Sequence, residues 1–146
     1  MLTIFLSGGM TGLSREQMTG WRDGIKDCVQ YCDKDIKVIS PTDSFMNEST
    51  WRDEDKEAFV YYTSWVKKSD VIVAEMSVPN SIGTAQEIML AYEYKKPIVM
   101  IANKDQWYGK VHPWLKQEST TVFFYDDYYD KRTLYADVVD YALLYE

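Results

Sequence analysis

The stretch SDVIVAEMSVPNSIGTAQEIMLAYEYKKPIV, Ser69 to Val99, runs through strand, loop, helix and strand in one pass. Val71 to Ala74 is a short apolar run led in by Asp70, the pattern of a strand covered on both faces. Met76 to Ser81 interrupts it with Pro79 and Asn80. Ile82 to Tyr94 then takes helical spacing, with Ser81 placed to cap it and Lys95-Lys96-Pro97 to close it. Pro97 to Ile101 is again short and apolar. Two such strands joined by a helix form a parallel unit.

The same alternation extends in both directions. Toward the start, Leu2 to Leu6 is a strand running into the loop Ser7 to Gly12. A helix is expected from Arg15 to Cys32, amphipathic through Met18, Trp21, Ile25, Cys28 and Val29. Ile36 to Ile39 is the second strand, stopped by Ser40-Pro41; Thr42 to Asp55 is polar and irregular. Lys56 to Lys67 carries Phe59, Val60, Thr63 and Val66 at helical spacing. Beyond the quoted stretch come a loop of polar and aromatic residues, a fifth strand at Thr121 to Tyr125, and a helix at Thr133 to Leu144. The expectation is one α/β domain over residues 1–146: a doubly wound, flavodoxin-like, five-stranded parallel sheet with helices on both faces. Ligands of such sheets bind beyond the carboxyl ends of the strands, here the loops after Leu6, Ile39, Ala74 and Ile101.

Composition narrows the partners. With 16 basic and 23 acidic side chains the formal charge is −7, which repels a phosphate backbone and argues against a nucleic-acid polymer as partner. No run reaches membrane length, and the apolar start is too short for a signal peptide and lacks basic residues, so a cytoplasmic protein is expected. Cys28 and Cys32, four residues apart, suit buried thiols rather than a disulfide framework or a metal site. No metal or organic cofactor is implied. Aromatic residues are abundant at 15%, which suits a core, a pocket for a flat ligand or a subunit interface.

Two loops hold the residues suited to chemistry. Gly8 and Gly9, after the first strand, let a ligand approach the backbone, although their spacing is not that of a dinucleotide fingerprint. Asn80-Ser81-Ile82-Gly83-Thr84-Ala85-Gln86-Glu87 opens the central helix. Glu87 falls in its first or second turn, where the helix dipole favours an ionised carboxylate available as a nucleophile. The same placement also suits an acidic residue that merely stabilises a helix start.

The block Ser69 to Val99, with the opening IFLSGGMTG, resembles the nucleoside 2-deoxyribosyltransferase superfamily over roughly Leu2 to Ile101. The resemblance rests on an acidic residue before the third strand, then a loop, then G-x-x-x-E from Gly83 to Glu87, then a K-P strand. It implies a double displacement in which Glu87 attacks the anomeric carbon of a nucleoside or nucleotide, a small-molecule substrate. A second base or water then releases the sugar. Six residues before this glutamate the transferases place an acidic residue that holds the sugar's 5′-hydroxyl, whereas this chain has Ser81, as in the deoxynucleoside 5′-monophosphate N-hydrolase branch. A hydroxyl at a helix N-terminus accepts a phosphate where a carboxylate repels it, yet Ser81 also suits a simple cap.

The resemblance implies other substrate contacts as well, and the chain departs from two of them. Tyr62 stands where the family often places an aspartate handling the base, with Asp43 or Glu57 as possible substitutes. Phe5 stands where the family favours a tyrosine near the sugar. His112, in the loop Tyr108 to Trp114, falls in a region that reaches a neighbouring subunit's site in the family, which implies a homodimer or higher homo-oligomer. A transferase on nucleosides is the leading expectation, followed by the nucleotide N-hydrolase. A non-catalytic nucleotide-binding module and a flavodoxin-like signalling or electron-transfer domain are the other classes.

Overall fold

The computed structural model describes residues 1–43, 54–126 and 130–146. The irregular stretch expected between Thr42 and Asp55 therefore lies largely outside the described residues.

Five strands form one sheet: β1 (Leu2–Gly8), β2 (Ile36–Ile39), β3 (Val71–Glu75), β4 (Ile98–Asn103) and β5 (Thr121–Tyr125). Their spatial order is β2-β1-β3-β4-β5, and every neighbouring pair is parallel. The helices between them are α1 (Arg15–Gln30), α2 (Glu54–Lys68) and α3 (Ile82–Glu93), then α4 (Lys104–Gly109), α5 (Pro113–Glu118) and α6 (Lys131–Ala142). This is the doubly wound, flavodoxin-like order, reversing between β1 and β3. Among the described residues, no helix is long and apolar enough to cross a membrane.

The three central strands are buried along their whole length apart from the last residue of β4. Period-two alternation splits their side chains between two cores. Phe5, Ile72, Ala74, Ile98 and Met100 face Val66 of α2, Ile88 and Ala91 of α3, Trp107 of α4 and Leu115 of α5. Leu2, Ile4, Leu6, Val71, Val73, Val99 and Ile101 face Trp21 and Ile25 of α1 with Leu134, Val138 and Ala142 of α6. A fully buried side chain of this size contributes roughly 1.5–3 kcal/mol, so both layers are needed to hold the sheet.

Beyond shifts of one to two residues at the ends of several elements, three features differ from the sequence reading. β1 continues two residues past Leu6, through Ser7 and Gly8. The loop expected around Tyr108 to Trp114 folds into the short helices α4 and α5, which Asn103 and His112 cap with side-chain acceptors. Cys28 and Cys32 are free and half-buried rather than core thiols.

Candidate active site

At its carboxyl end β1 presents Ser7 and Gly8 to opposite layers. Ser7, fully buried, donates its hydroxyl to Oε1 of Glu87 at 3.0 Å. The Gly8 carbonyl accepts from Nη2 of Arg22 at 3.2 Å on the other side. Arg22 is itself wholly buried, and its Nη1 donates to the carbonyl of Met18 at 2.6 Å.

Glu87 is half-buried and lines a cavity of about 560 Å³ between α2 and α3. Met10, Pro41, Phe59, Tyr62, Gly83 and Leu90 contribute to its walls. A cavity of this size lies in the range of small-ligand pockets. Among the described residues the Glu87 carboxyl has one hydrogen bond, at Oε1, which leaves Oε2 without a hydrogen-bond partner.

The electrostatics of Glu87 differ from the sequence expectation. α3 starts at Ile82 and has no acidic residue in its first turn, so Glu87 falls beyond the reach of the dipole's strongest effect. Burial pushes its carboxyl up to about 7; the Ser7 hydrogen bond and the Arg22 charge pull the other way and only partly offset it. Arg22 is pushed down to about 10 by its own burial and so remains a cation at neutral pH, opposed by the fields of Glu87, Glu75 and Asp43.

The other expected site residues are scattered. Tyr62 shares the Glu87 cavity, but its hydroxyl donates to the Pro41 carbonyl at 3.0 Å. Gly83 lines the cavity too, and a Cβ there would meet no atom within 4 Å. Phe5 is fully buried in the core, its ring 6.4 Å from that of Tyr62. Gly8 and Gly9 are also packing positions: an added Cβ would come within 2.8 Å of Trp21 and 2.5 Å of Val78 respectively. Asp43 is exposed and paired with Lys26 at 2.6 Å, away from the cavity lining. Glu57 is exposed on α2.

Ser81 and His112 come together, but on the other flank of α3. They line a cleft of about 460 Å³ between α3 and α5, and Gln86 borders both this cleft and the Glu87 cavity. Ser81 is the N-cap of α3, accepting from the Thr84 amide and donating to the Thr84 hydroxyl at 2.9 Å. His112 accepts the Trp114 amide at Nδ1, which leaves Nε2 as the protonated nitrogen of a neutral ring. Glu118 lines the same cleft; it is raised by burial, and its Oε2 has no partner among the described residues.

Sequence reasoning missed Ser7 and Arg22. A serine closing a run of apolar strand residues is the available signal for the first, because a buried hydroxyl requires a partner. A lone arginine on the apolar stripe of α1, beside Trp21, is the signal for the second. Among the described residues, no three His, Cys, Asp or Glu side chains gather as a metal site would require.

The class of protein defined so far is a parallel, doubly wound α/β domain with a half-open carboxyl group in a cavity at its strand ends. No protein-family profile and no curated protein matches the chain. Solved structures do. A conserved protein from Enterococcus faecalis V583 superposes with TM-score 0.68 at 18% identity, covering 97% of this chain and 99% of its own. The 2-deoxyribosyltransferase of Bacillus psychrosaccharolyticus gives 0.64 at 18%, covering 90% and 95%. The CMP N-glycosidase BcmB of Clostridium botulinum gives 0.60 at 18%, covering 95% and 98%. The chain shares one fold with all three over nearly its whole length.

Proposed function

We propose that this protein is an enzyme of the nucleoside 2-deoxyribosyltransferase superfamily that cleaves or exchanges the N-glycosidic bond of small-molecule nucleosides. The observation that carries the reading is the Glu87 carboxyl, lining a cavity with Oε1 held by Ser7 at 3.0 Å and Oε2 without a hydrogen-bond partner among the described residues. Ionised, Oε2 attacks the anomeric carbon; the carbon–nitrogen bond breaks, and the base leaves with the electron pair and takes up a proton. A second base or a water then displaces the glutamyl ester and regenerates the carboxylate. The likeness of fold to a 2-deoxyribosyltransferase and a CMP N-glycosidase supports the same chemistry.

A second reading, hydrolysis of nucleoside 5′-monophosphates, is favoured by Ser81 and His112 sharing one cleft at the start of α3. Two observations weigh against it. The Ser81 hydroxyl already caps α3, and Glu118 is among the residues lining the same cleft, where a carboxylate would oppose a phosphate dianion. The transferase reading therefore leads.

The deciding experiment offers deoxynucleosides, or their 5′-monophosphates, with and without a second base. Exchange that requires the acceptor base supports the transferase; base released from the monophosphate alone overturns it. A mass increase on Glu87, trapped with a substrate of slow second step, identifies the nucleophile. Tight binding without turnover, unchanged in Glu87→Ala, would leave a nucleotide-binding module.

A further inference from the structure

We infer that Ser7 is a positioning residue for Glu87, fixing Oε1 so that Oε2 is the atom presented to the substrate, and that Gly8 and Arg22 lock Ser7 in place from the opposite layer. The inference rests on the reading of Glu87 as nucleophile given above.

Ser7 is where the apolar run of β1 stops. Thr3, Phe5 and Ser7 alternate toward the layer of α2 and α3, and Phe5 fills the core beneath Tyr62. One step further along, the strand presents a hydroxyl instead of another apolar group, with no solvent exposure. A buried hydroxyl is tolerated when it is hydrogen-bonded, and its side-chain partner is Oε1 of Glu87, 80 residues away on α3. A hydrogen bond to an ionised acceptor is stronger than a neutral one and restrains the carboxylate's orientation.

The restraint works only where the serine itself cannot move. Gly8 turns to the α1 layer, where its carbonyl is held by Arg22 and where any Cβ would lie 2.8 Å from the Trp21 ring. Arg22 is held in turn by the Met18 carbonyl, and its guanidinium lies 4.7 Å from the centre of the Trp21 ring. The strand end is thus clamped from one face while it orients a side chain on the other. A group placed within a few tenths of an ångström gains in rate through orientation rather than through affinity, so the effect belongs on kcat.

Among the described residues, the charged and titratable groups around Glu87 are few. Arg22 acts on it from α1, and Tyr62 of α2 faces the same cavity. β3 contributes the uncharged Ala74 to this layer, Met76 just after it does the same, and Glu118 of α5 lines the cleft on the other flank of α3. Removing the Ser7 hydroxyl therefore removes a direct stabiliser of the ionised form.

The test compares the wild type with Ser7→Ala and Ser7→Thr. Glu87 is titrated by carbon-13 NMR of labelled glutamate, its signal assigned through Glu87→Gln. Base release is followed as a function of pH. In Ser7→Ala the titration midpoint and the acidic limb of kcat should both move up by about one pH unit. In the same variant kcat should fall about tenfold and KM stay within about twofold; the hydroxyl of Ser7→Thr should restore the profile. If Ser7→Ala does not fold, Ser7→Cys, a weaker donor of similar size, takes its place with the same expected direction. Coincidence of the variant's midpoint and acidic limb with those of the wild type overturns the assignment. A wild type that releases no base, combined with a midpoint that still moves, supports the Ser7 contact and removes the catalytic reading instead.

Discussion

Glu87 and Glu75 form a natural pair. Both are carboxyl groups at the strand ends of one sheet, both are raised above the usual carboxylate range by burial, and both feel Arg22. They differ in layer and in hydrogen bonding. Glu75, on the α1 and α6 side, has each oxygen engaged by its near neighbour: the Ser77 amide at 2.7 Å and the Ser77 hydroxyl at 2.6 Å. It also borders a cavity, of about 570 Å³, so neither burial nor a raised pKa nor a nearby void separates the two. The separating feature is saturation: Glu75 shapes the turn after β3, whereas Glu87 keeps an oxygen in reserve. Perturbed titration alone is thus a poor marker of chemistry, because structural carboxyls show it as well.

The contrast is broken most directly by removing each group. Glu87→Ala should lower base release by about a thousandfold or more, with unfolding still cooperative, as expected when an attacking atom is lost. An assay of free base by chromatography checks it, and residual activity within tenfold of wild type would remove Glu87 from the chemistry.

A pH series sharpens the pair next. Glu87 must be ionised to attack and its pKa is about 7, so kcat/KM should rise about tenfold per unit from pH 5 to pH 6 and level off above pH 7. A rate independent of pH across that window would mean that the carboxyl is ionised far more easily than its burial suggests.

Stability should then separate the two in the opposite sense. Glu75→Ala leaves the Ser77 amide and hydroxyl without their acceptor, and should cost about 1–3 kcal/mol in denaturant unfolding while activity stays within about tenfold. Glu87→Gln should do the reverse at alkaline pH. The folded chain binds the Glu87 proton more tightly than the unfolded chain does, with about 7 against an ordinary 4.5. The resulting stability is complete below about 4.5 and fades as pH rises through 7. The glutamine cannot lose a proton, so at pH 8 the variant should be more stable than wild type by on the order of 1 kcal/mol.

The smallest effect concerns the cavity mouth. A Cβ at position 83 meets nothing within 4 Å, so Gly83→Ala should stabilise α3 by about 0.5–1 kcal/mol. Because Gly83 lines the Glu87 cavity, any cost should appear in KM, measured by steady-state kinetics.

Much of this architecture was readable from residues alone. Short apolar runs alternating with amphipathic stretches gave the five strands, the main helices and the parallel sheet, because burial on both faces leaves strand segments such as Val71 to Ala74 wholly apolar. The helices α4 and α5 escaped because six residues are too few to show a helical period; their caps, Asn103 and His112, were the available cue. The site was less legible. Glu87 was singled out by the G-x-x-x-E resemblance, since its place after a capped helix start also suits a helix stabiliser; its distance from the first turn, and hence its titration, depends on where α3 begins and what covers it. Gly8 and Gly9 stood out for their freedom of backbone, but that Trp21 and Val78 pack against them depends on contacts across the fold. Ser7 to Glu87 is a contact between residues 80 apart, and local pattern carries no record of it.

The two margins of the sheet are unequally protected against self-templating. β2 closes one side with four residues and a lysine in their midst, a short charged border that discourages strand addition. β5 closes the other with Thr-Val-Phe-Phe-Tyr, uncharged, aromatic and strongly β-forming. Loss of the α6 cover, whose Leu134, Val138 and Val139 share a core with Phe123 and Tyr125, would bare that border before the other. Aggregation of a partly unfolded population should therefore seed at the β5 rim, and a single lysine at Thr121 is the economical way to blunt it.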